Sequence, residues 1–247
     1  MRLIFKILLP LFCCSMMWSC NKTDNSGPAA NVGKGGSLAR FIIAQNYLYV
    51  VDQGELHTYS LANPTAPLKV SQQQIGFAIE TIYSWKDKLF VGSQEAIYVY
   101  SITNPRSPQL LGSASHLRAC DPVVANDYAA YVTVRAGTNC GGDINALIVY
   151  NINEVLNPIE TNRIQLNNPY GLGLNGQTLY VCDGNNGLKV FDVTSPHHPN
   201  EVKQITGHFF KDCIPFGNLL ICMLNDGIAL YNIEAPLDPE FLALITE

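Results

Sequence analysis

Glu80, Asp121 and Asp212 are the residues of this chain best suited to acid–base chemistry, since each stands shortly before a β-rich run of the LYV type. Two carboxyls held ~5 to 9.5 Å apart supply the two roles of glycoside hydrolysis, which makes a carbohydrate-active enzyme the alternative reading of the chain. Arg40, Tyr170 and Lys211 occupy the matching places before the other runs, and Arg118 lies close to Asp121. Charged and aromatic side chains at these places suit a polar ring around the mouth of a channel, where a glycan, a peptide or a partner protein would be held. The same residues also make a solvated rim of mutual ion pairs. No catalytic motif surrounds them, so no catalytic residue is assigned and a non-enzymatic binding or scaffold module is the preferred reading. No cysteine and histidine cluster has metal-ligand spacing, and neither a metal nor a cofactor is expected.

The eight cysteines divide by position. Cys13 and Cys14 fall in an apolar leader, Cys20 ends it, and five lie in the remainder. Cys120 and Cys140 bracket a segment with an insertion, and a disulfide between them would pin that loop by ~3 kcal/mol. Cys213 and Cys222 flank a turn at Phe216-Gly217-Asn218 on facing strands, either bridged or buried as small apolar residues, and Cys182 is expected in the core. His197 and His198 sit in a proline-bounded turn, a solvated setting, while His116 and His208 share an equivalent loop position.

The elements that must position these residues recur five times. LYVVD at Leu48, LFVGS at Leu89, AYVTV at Ala130, LYVCD at Leu179 and LLICM at Leu219 form one set of runs. Each is followed by a second: LHTYSL from Leu56, IYVYSI from Ile97, LIVYNI from Leu147, LKVFDV from Leu188 and IALYNI from Ile228. The aromatic of the second run, Tyr59, Tyr100, Tyr150, Phe191 and Tyr231, fixes a period of about 41 residues with one longer step in the third repeat. A proline-bearing turn follows each second run, marking a chain reversal. A third extended run follows the turn, and a fourth precedes each LYV run, as in TIYSWK from Thr81. Four short strands per repeat describe a propeller blade, and the expected fold is an all-β, five-bladed β-propeller of four-stranded antiparallel blades. Such blades are apolar on both faces and must stack on one another. Closure is expected from packing of blade one on blade five.

These runs resemble the LVIVD repeat, a propeller-type repeat of exported bacterial proteins, most literally at LYVVD (Leu48 to Asp52) and LYVCDGNNGLKVFDV (Leu179 to Val193). The resemblance implies the fold and no established activity. Gly92-Ser93, Thr133-Val134 and Cys222-Met223 depart from the Val-Asp ending of the run.

The N-terminal residues carry a second message. Arg2 and Lys6 precede an apolar stretch from Ile7 to Trp18, and polar Asn21 to Asp24 follow Cys20 directly. The stretch is shorter than the ~20 residues of a spanning helix and has the form of a secretory signal. Cys20 after Ser19 resembles a bacterial lipoprotein acylation site. The expected organisation is therefore a signal peptide over 1–19, a lipidated Cys20 with a flexible linker over 20–38, and a propeller over 39–247. Acyl chains would hold the protein to a membrane of the bacterial cell envelope, with the outer membrane expected. Loss of Arg2 and Lys6 with the leader lowers the 15 basic residues to 13 against 20 acidic ones, a net charge of −7. That balance argues against nucleic acid as a partner. The domain is expected to be monomeric.

Overall fold

In the computed structural model the chain is described over residues 35–76, 78–115, 122–137 and 142–246. It folds as an all-β, five-bladed propeller of twenty strands in five four-stranded antiparallel sheets, each a single meander from the innermost to the outermost strand. Blade one comprises β1 (Phe41–Ala44), β2 (Tyr47–Asp52), β3 (Glu55–Ser60) and β4 (Leu68–Gln74). Blade two holds β5 (Ile79–Trp85), β6 (Lys88–Ser93), β7 (Ala96–Ser101) and β8 (Gln109–Ser115). Blade three holds β9 (Val123–Ala125), β10 (Ala129–Val134), β11 (Ala146–Asn151) and β12 (Ile159–Gln165). Blade four holds β13 (Leu172–Asn175), β14 (Thr178–Cys182), β15 (Leu188–Asp192) and β16 (Asn200–Ile205). Blade five holds β17 (Phe210–Phe216), β18 (Leu219–Leu224), β19 (Gly227–Asn232) and β20 (Glu240–Thr246).

The repeat aromatic organises each blade. The third and fourth strands shift register immediately before it in every repeat, between Thr58 and Tyr59, Val99 and Tyr100, Val149 and Tyr150, Val190 and Phe191, and Leu230 and Tyr231. A bulge at a fixed place twists the outermost strand by the same device each time. The residue after the aromatic then turns the chain: Ser60, Ser101, Asn151, Asp192 and Asn232 each accept the backbone N–H two residues on. Side-chain oxygens that substitute for a backbone acceptor in this way favour the turn that leads into the prolines.

The sheet register corrects one sequence alignment. Leu48, Leu89, Ala130 and Leu179 lie opposite the aromatic of their own blade, and in blade five its partner is Leu220, not Leu219. The fifth run is therefore LICML from Leu220. The one-residue slip arose because both leucines fit an apolar run, whereas pairing with Tyr231 decides which face each takes.

Hydrophobic clusters join blade one to two, two to three, three to four and four to five. Within each pair mainly the second and third strands of the earlier blade face the first to third strands of the later one, with Ile42 and Ala44 of β1 and Val124 of β9 joining them. Three of these interfaces share a half-buried polar link, in which the β2-type tyrosine donates to the first proline carbonyl of the next blade's turn. Tyr49 reaches Pro105 O at 2.9 Å, Tyr131 reaches Pro196 O at 2.9 Å, and Tyr180 reaches Pro236 O at 2.8 Å. Phe90 takes this place in blade two and Ile221 in blade five. Among the described residues no core cluster joins blade five to blade one, so the closure expected from packing of those two blades is not built as a core.

The tyrosine link yields a stability prediction. Tyr131→Phe leaves the Pro196 carbonyl without its donor while keeping the ring packing, and is expected to cost ~1 kcal/mol in urea unfolding. An unchanged midpoint would show that the link contributes nothing beyond the ring.

Candidate functional site: the central cavity

The innermost strands β1, β5, β9, β13 and β17 surround a central cavity of about 610 Å³. Its wall is largely apolar: Ile42, Val124, Leu172, Leu174, Ile214 and Pro215 line it, with the Tyr83 ring beside them. Burial pushes the Tyr83 hydroxyl up to about 12, so it stays neutral. Gly173 takes part in the close approach of blades four and five, where a Cβ would fall 2.7 Å from the Pro215 ring.

The two ends of the cavity differ. At the end where the innermost strands begin, residues 35–38 cross toward blades four and five. Ser37 is buried, and its hydroxyl donates to Asp212 Oδ1 at 3.1 Å while accepting the Leu172 N–H at 2.7 Å. The Cys213 N–H donates to Asp212 Oδ1 at 2.9 Å, and the Ser37 and Leu38 N–H groups also donate to this carboxyl. Gly36 and Gly171 press on it from two sides, since a Cβ on either would stand 2.1 or 2.0 Å from a carboxyl oxygen. Residues 35–38, expected in the flexible linker over 20–38, thus pack on the domain, with Ser37 fixed by the one carboxyl buried beneath it.

At the opposite end, where the innermost strands finish, the cavity meets solvent among Gln45, Trp85 and Lys86. Gln45 and Asn46 form a two-residue turn with φ of 51° and 65°, the left-handed pair typical of tight hairpins. The Trp85 indole donates to Asp127 Oδ1 at 2.9 Å, and the Lys86 ammonium, 5.8 Å from the Trp85 ring centre, pairs with Asp127 Oδ2 at 2.7 Å. These bonds hold the Asp127 carboxyl below its ordinary range and fix the tryptophan across blades two and three.

The residues expected to form one rim are divided by this arrangement. Arg40 and Glu80 share a separate cleft of about 340 Å³ with Gln53 and Gln94, and Gln94 donates to Glu80 Oε1 at 3.2 Å. Tyr170 packs beneath the Arg135 guanidinium, 3.7 Å from its ring, with Phe209 at 5.2 Å. Lys211 is half-buried, and its carbonyl accepts the Gly171 N–H at 2.8 Å. Glu80 thus lines the separate cleft, and Asp212 lies beneath the crossing segment. Arg118 and Asp121, the expected Cys120–Cys140 disulfide, His116 and the expected acylation site Cys20 lie outside the described residues. Among the described residues no group of three or more His, Cys, Asp or Glu side chains is disposed to hold a metal ion.

Cys182, Cys213 and Cys222 are unbridged and buried together between blades four and five. Burial raises the pKa of Cys182 and Cys222, which keeps both as packing thiols. Asp183 completes the LYVCD run in blade four by accepting the Asn167 and Asn168 N–H groups and the Asn186 amide. Its counterpart Asp52 is exposed. The run's aspartate thus ties down the loop from the preceding blade where such a loop exists.

Comparison with known proteins bears on the repeat and the fold. The LVIVD repeat model matches residues 35–72 and 171–206. The chain carries LVIVD repeats. These matches cover blade one to its outermost strand and blade four in full, where the runs keep their aspartates. No curated protein matches the sequence. A protein from Lactobacillus plantarum superposes with a TM-score of 0.64 at 15% identity, covering 84% of this chain and 68% of that one. A functionally unknown protein from Desulfotomaculum acetoxidans gives a TM-score of 0.63 at 15% identity over 81% and 66% of the two chains. BamB from Moraxella catarrhalis gives 0.55 at 10% identity over 73% and 54%. At these identities the likeness is one of fold alone. The LVIVD-repeat chain spans from 54% to 68% of the lengths of these three solved chains.

Asp212 makes a pH prediction. Burial pushes its carboxyl from 3.8 up to about 6, outweighing the donors around it. A raised native pKa means that the native state binds the proton more tightly than the unfolded chain. Its contribution is therefore full below about pH 4, declines as pH rises toward 6, and is lost above that. Stability measured by urea unfolding is expected to fall between pH 4 and 7 by ~3 kcal/mol more in the native chain than in Asp212→Asn. Parallel pH profiles would show that the carboxyl is not held as described.

Proposed function

We propose that this protein is a lipid-anchored binding module of the bacterial cell envelope that takes its ligand into the central cavity from the Trp85–Lys86 end. The observation that supports this reading most is the asymmetry of the cavity: the crossing segment covers one end, and Trp85, Lys86 and Gln45 stand at the solvent-facing end. Small-molecule sites of ~300 to 1,000 Å³ have this character, an apolar wall with a few polar groups that orient the ligand. The wall favours a slender aliphatic or aromatic body over a glycan, whose many hydroxyls would lose water without finding partners. A polar head would remain beside Gln45 and Lys86.

The Arg40–Glu80 cleft provides a second, polar surface for a peptide or glycan, as the sequence suggests. Anchoring would come from acylated Cys20, with the polar residues that follow it serving as the tether. Binding fits the largely apolar wall formed by the described residues.

Trp85 supplies the assay, being the one tryptophan among the described residues. Titration of the full chain with medium-chain fatty acids and with alkyl-aromatic acids is expected to shift Trp85 emission saturably. Val124→Phe, which narrows the cavity, is expected to weaken the shift by roughly tenfold or more. An emission unaffected by either ligand series, or equal titrations of the two proteins, would remove the cavity as the binding site. Cys20→Ser is expected to move the protein from the membrane to the soluble fraction, and retention on the membrane would contradict the anchor.

A further inference from the structure

We propose that the outward faces of blade five and blade one are the two halves of one interface, joined head to tail between two copies of this chain. The inference is independent of the cavity and its ligand.

Each internal interface is built from the same positions. The face that a blade turns to its successor carries Tyr49, Val51 and Leu56 in blade one, Tyr131 and Leu147 in blade three, and Tyr180, Cys182 and Leu188 in blade four, all buried. The equivalents in blade five are Ile221, Met223 and Ile228, set by pairing of Met223 with Ile228. They keep the apolar chemistry without the burial: Met223 is 45% exposed and Ile228 39%. The face turned to the predecessor shows the same contrast at the other end of the chain. Ile82, Val123, Leu172 and Cys213 on the innermost strands are 0 to 1% exposed, whereas their counterpart Phe41, opposite Val50, is 61% exposed. Leu48, Val50 and Tyr59 are half-buried where the corresponding residues of the other four blades are buried.

A second copy is the occupant that satisfies both faces at once. Blade five presents the half that receives a blade, and blade one of another copy presents the half that is received. The four internal interfaces show that these two patterns pack. Residues 21–34, the polar stretch before the crossing segment, have no apolar periodicity. Strand pairing places Asp52, Glu55 and His57 on the same face of blade one as Val50 and Tyr59, where His57 Nε2 and Glu55 Oε2 stand 3.5 Å apart beside the apolar group. A head-to-tail contact of this kind closes into a ring or continues as a chain, according to the rotation it imposes.

The internal interface between blades four and five supplies the design of the test. There Cys182 and Cys213 face one another, and their equivalents at the open faces are Met223 and Phe41. Full-length copies carrying Met223→Cys and Phe41→Cys, each with a different tag, are co-expressed and oxidised with copper–phenanthroline. Single variants paired with native copies serve as controls, and both changes in one chain test closure within a copy. A mixed-tag disulfide dimer that needs both cysteines, and is reduced at least tenfold by adding Ile228→Glu to the Met223→Cys copy, is the expected result. An intrachain crosslink in the double variant without a mixed-tag dimer would overturn the proposal, because the chain would then close on itself. No crosslink in either arrangement would overturn it as well, leaving the faces to solvent or to a different partner. Near-ultraviolet circular dichroism of each variant checks that the fold is retained.

Discussion

A four-stranded sheet with apolar residues on both faces has no stable existence alone in water, and the whole molecule follows from relieving that constraint. Alternation along each second and third strand sends one set of side chains to the preceding blade and the other to the following one. Each of blades two, three and four therefore depends on two neighbours, and the order of the repeats becomes the order of the interfaces. Tyrosine hydroxyls bonded to proline carbonyls bring the turns into the same contacts. The fold is in this sense a stack of equivalent faces, and the most informative places are those where equivalence fails.

Failure occurs at both ends of the stack and along its axis. The innermost strands enclose a cavity because their side chains do not fill the space between them, and the ends of that cavity are treated differently. One is crossed by the chain as it enters blade one, fixed by a carboxyl whose burial is tolerated through several converging donors. The other carries a tryptophan and a lysine held in place by Asp127. An apolar hollow with one such mouth suits the admission of something slender, the basis of the proposed binding role.

The repeat was legible in the sequence because its signals are local. An aromatic every 41 or so residues, prolines after it and alternating apolar runs before it specify strands and turns without long-range information. The register of blade five was less legible, since Leu219 and Leu220 serve an apolar pattern equally and only the strand partner of Tyr231 separates them. The site was the least legible part. Counting back from the LYV runs found Arg40, Glu80 and Asp212 near the ends of the innermost strands, but gave no sign that they would be separated. The crossing segment that separates them has no apolar signal, because Gly36 and Ser37 act through close approach and hydrogen bonds. Trp85 was visible in TIYSWK as a strand residue, and its place at the mouth depends on Asp127, 42 residues later.

Packing between blade faces, more than any bond within a blade, sets the stability of each part. Hydrogen–deuterium exchange of the full chain, read by mass spectrometry strand by strand, tests it most directly, since amide protection reports the free energy of local opening. The second and third strands of blades two, three and four, buried on both faces, are predicted to exchange slowest, with β2, β3, β18 and β19 opening sooner although their own hydrogen bonds are equally complete. Equal protection in all five blades of the isolated monomer would show that face packing does not set local stability.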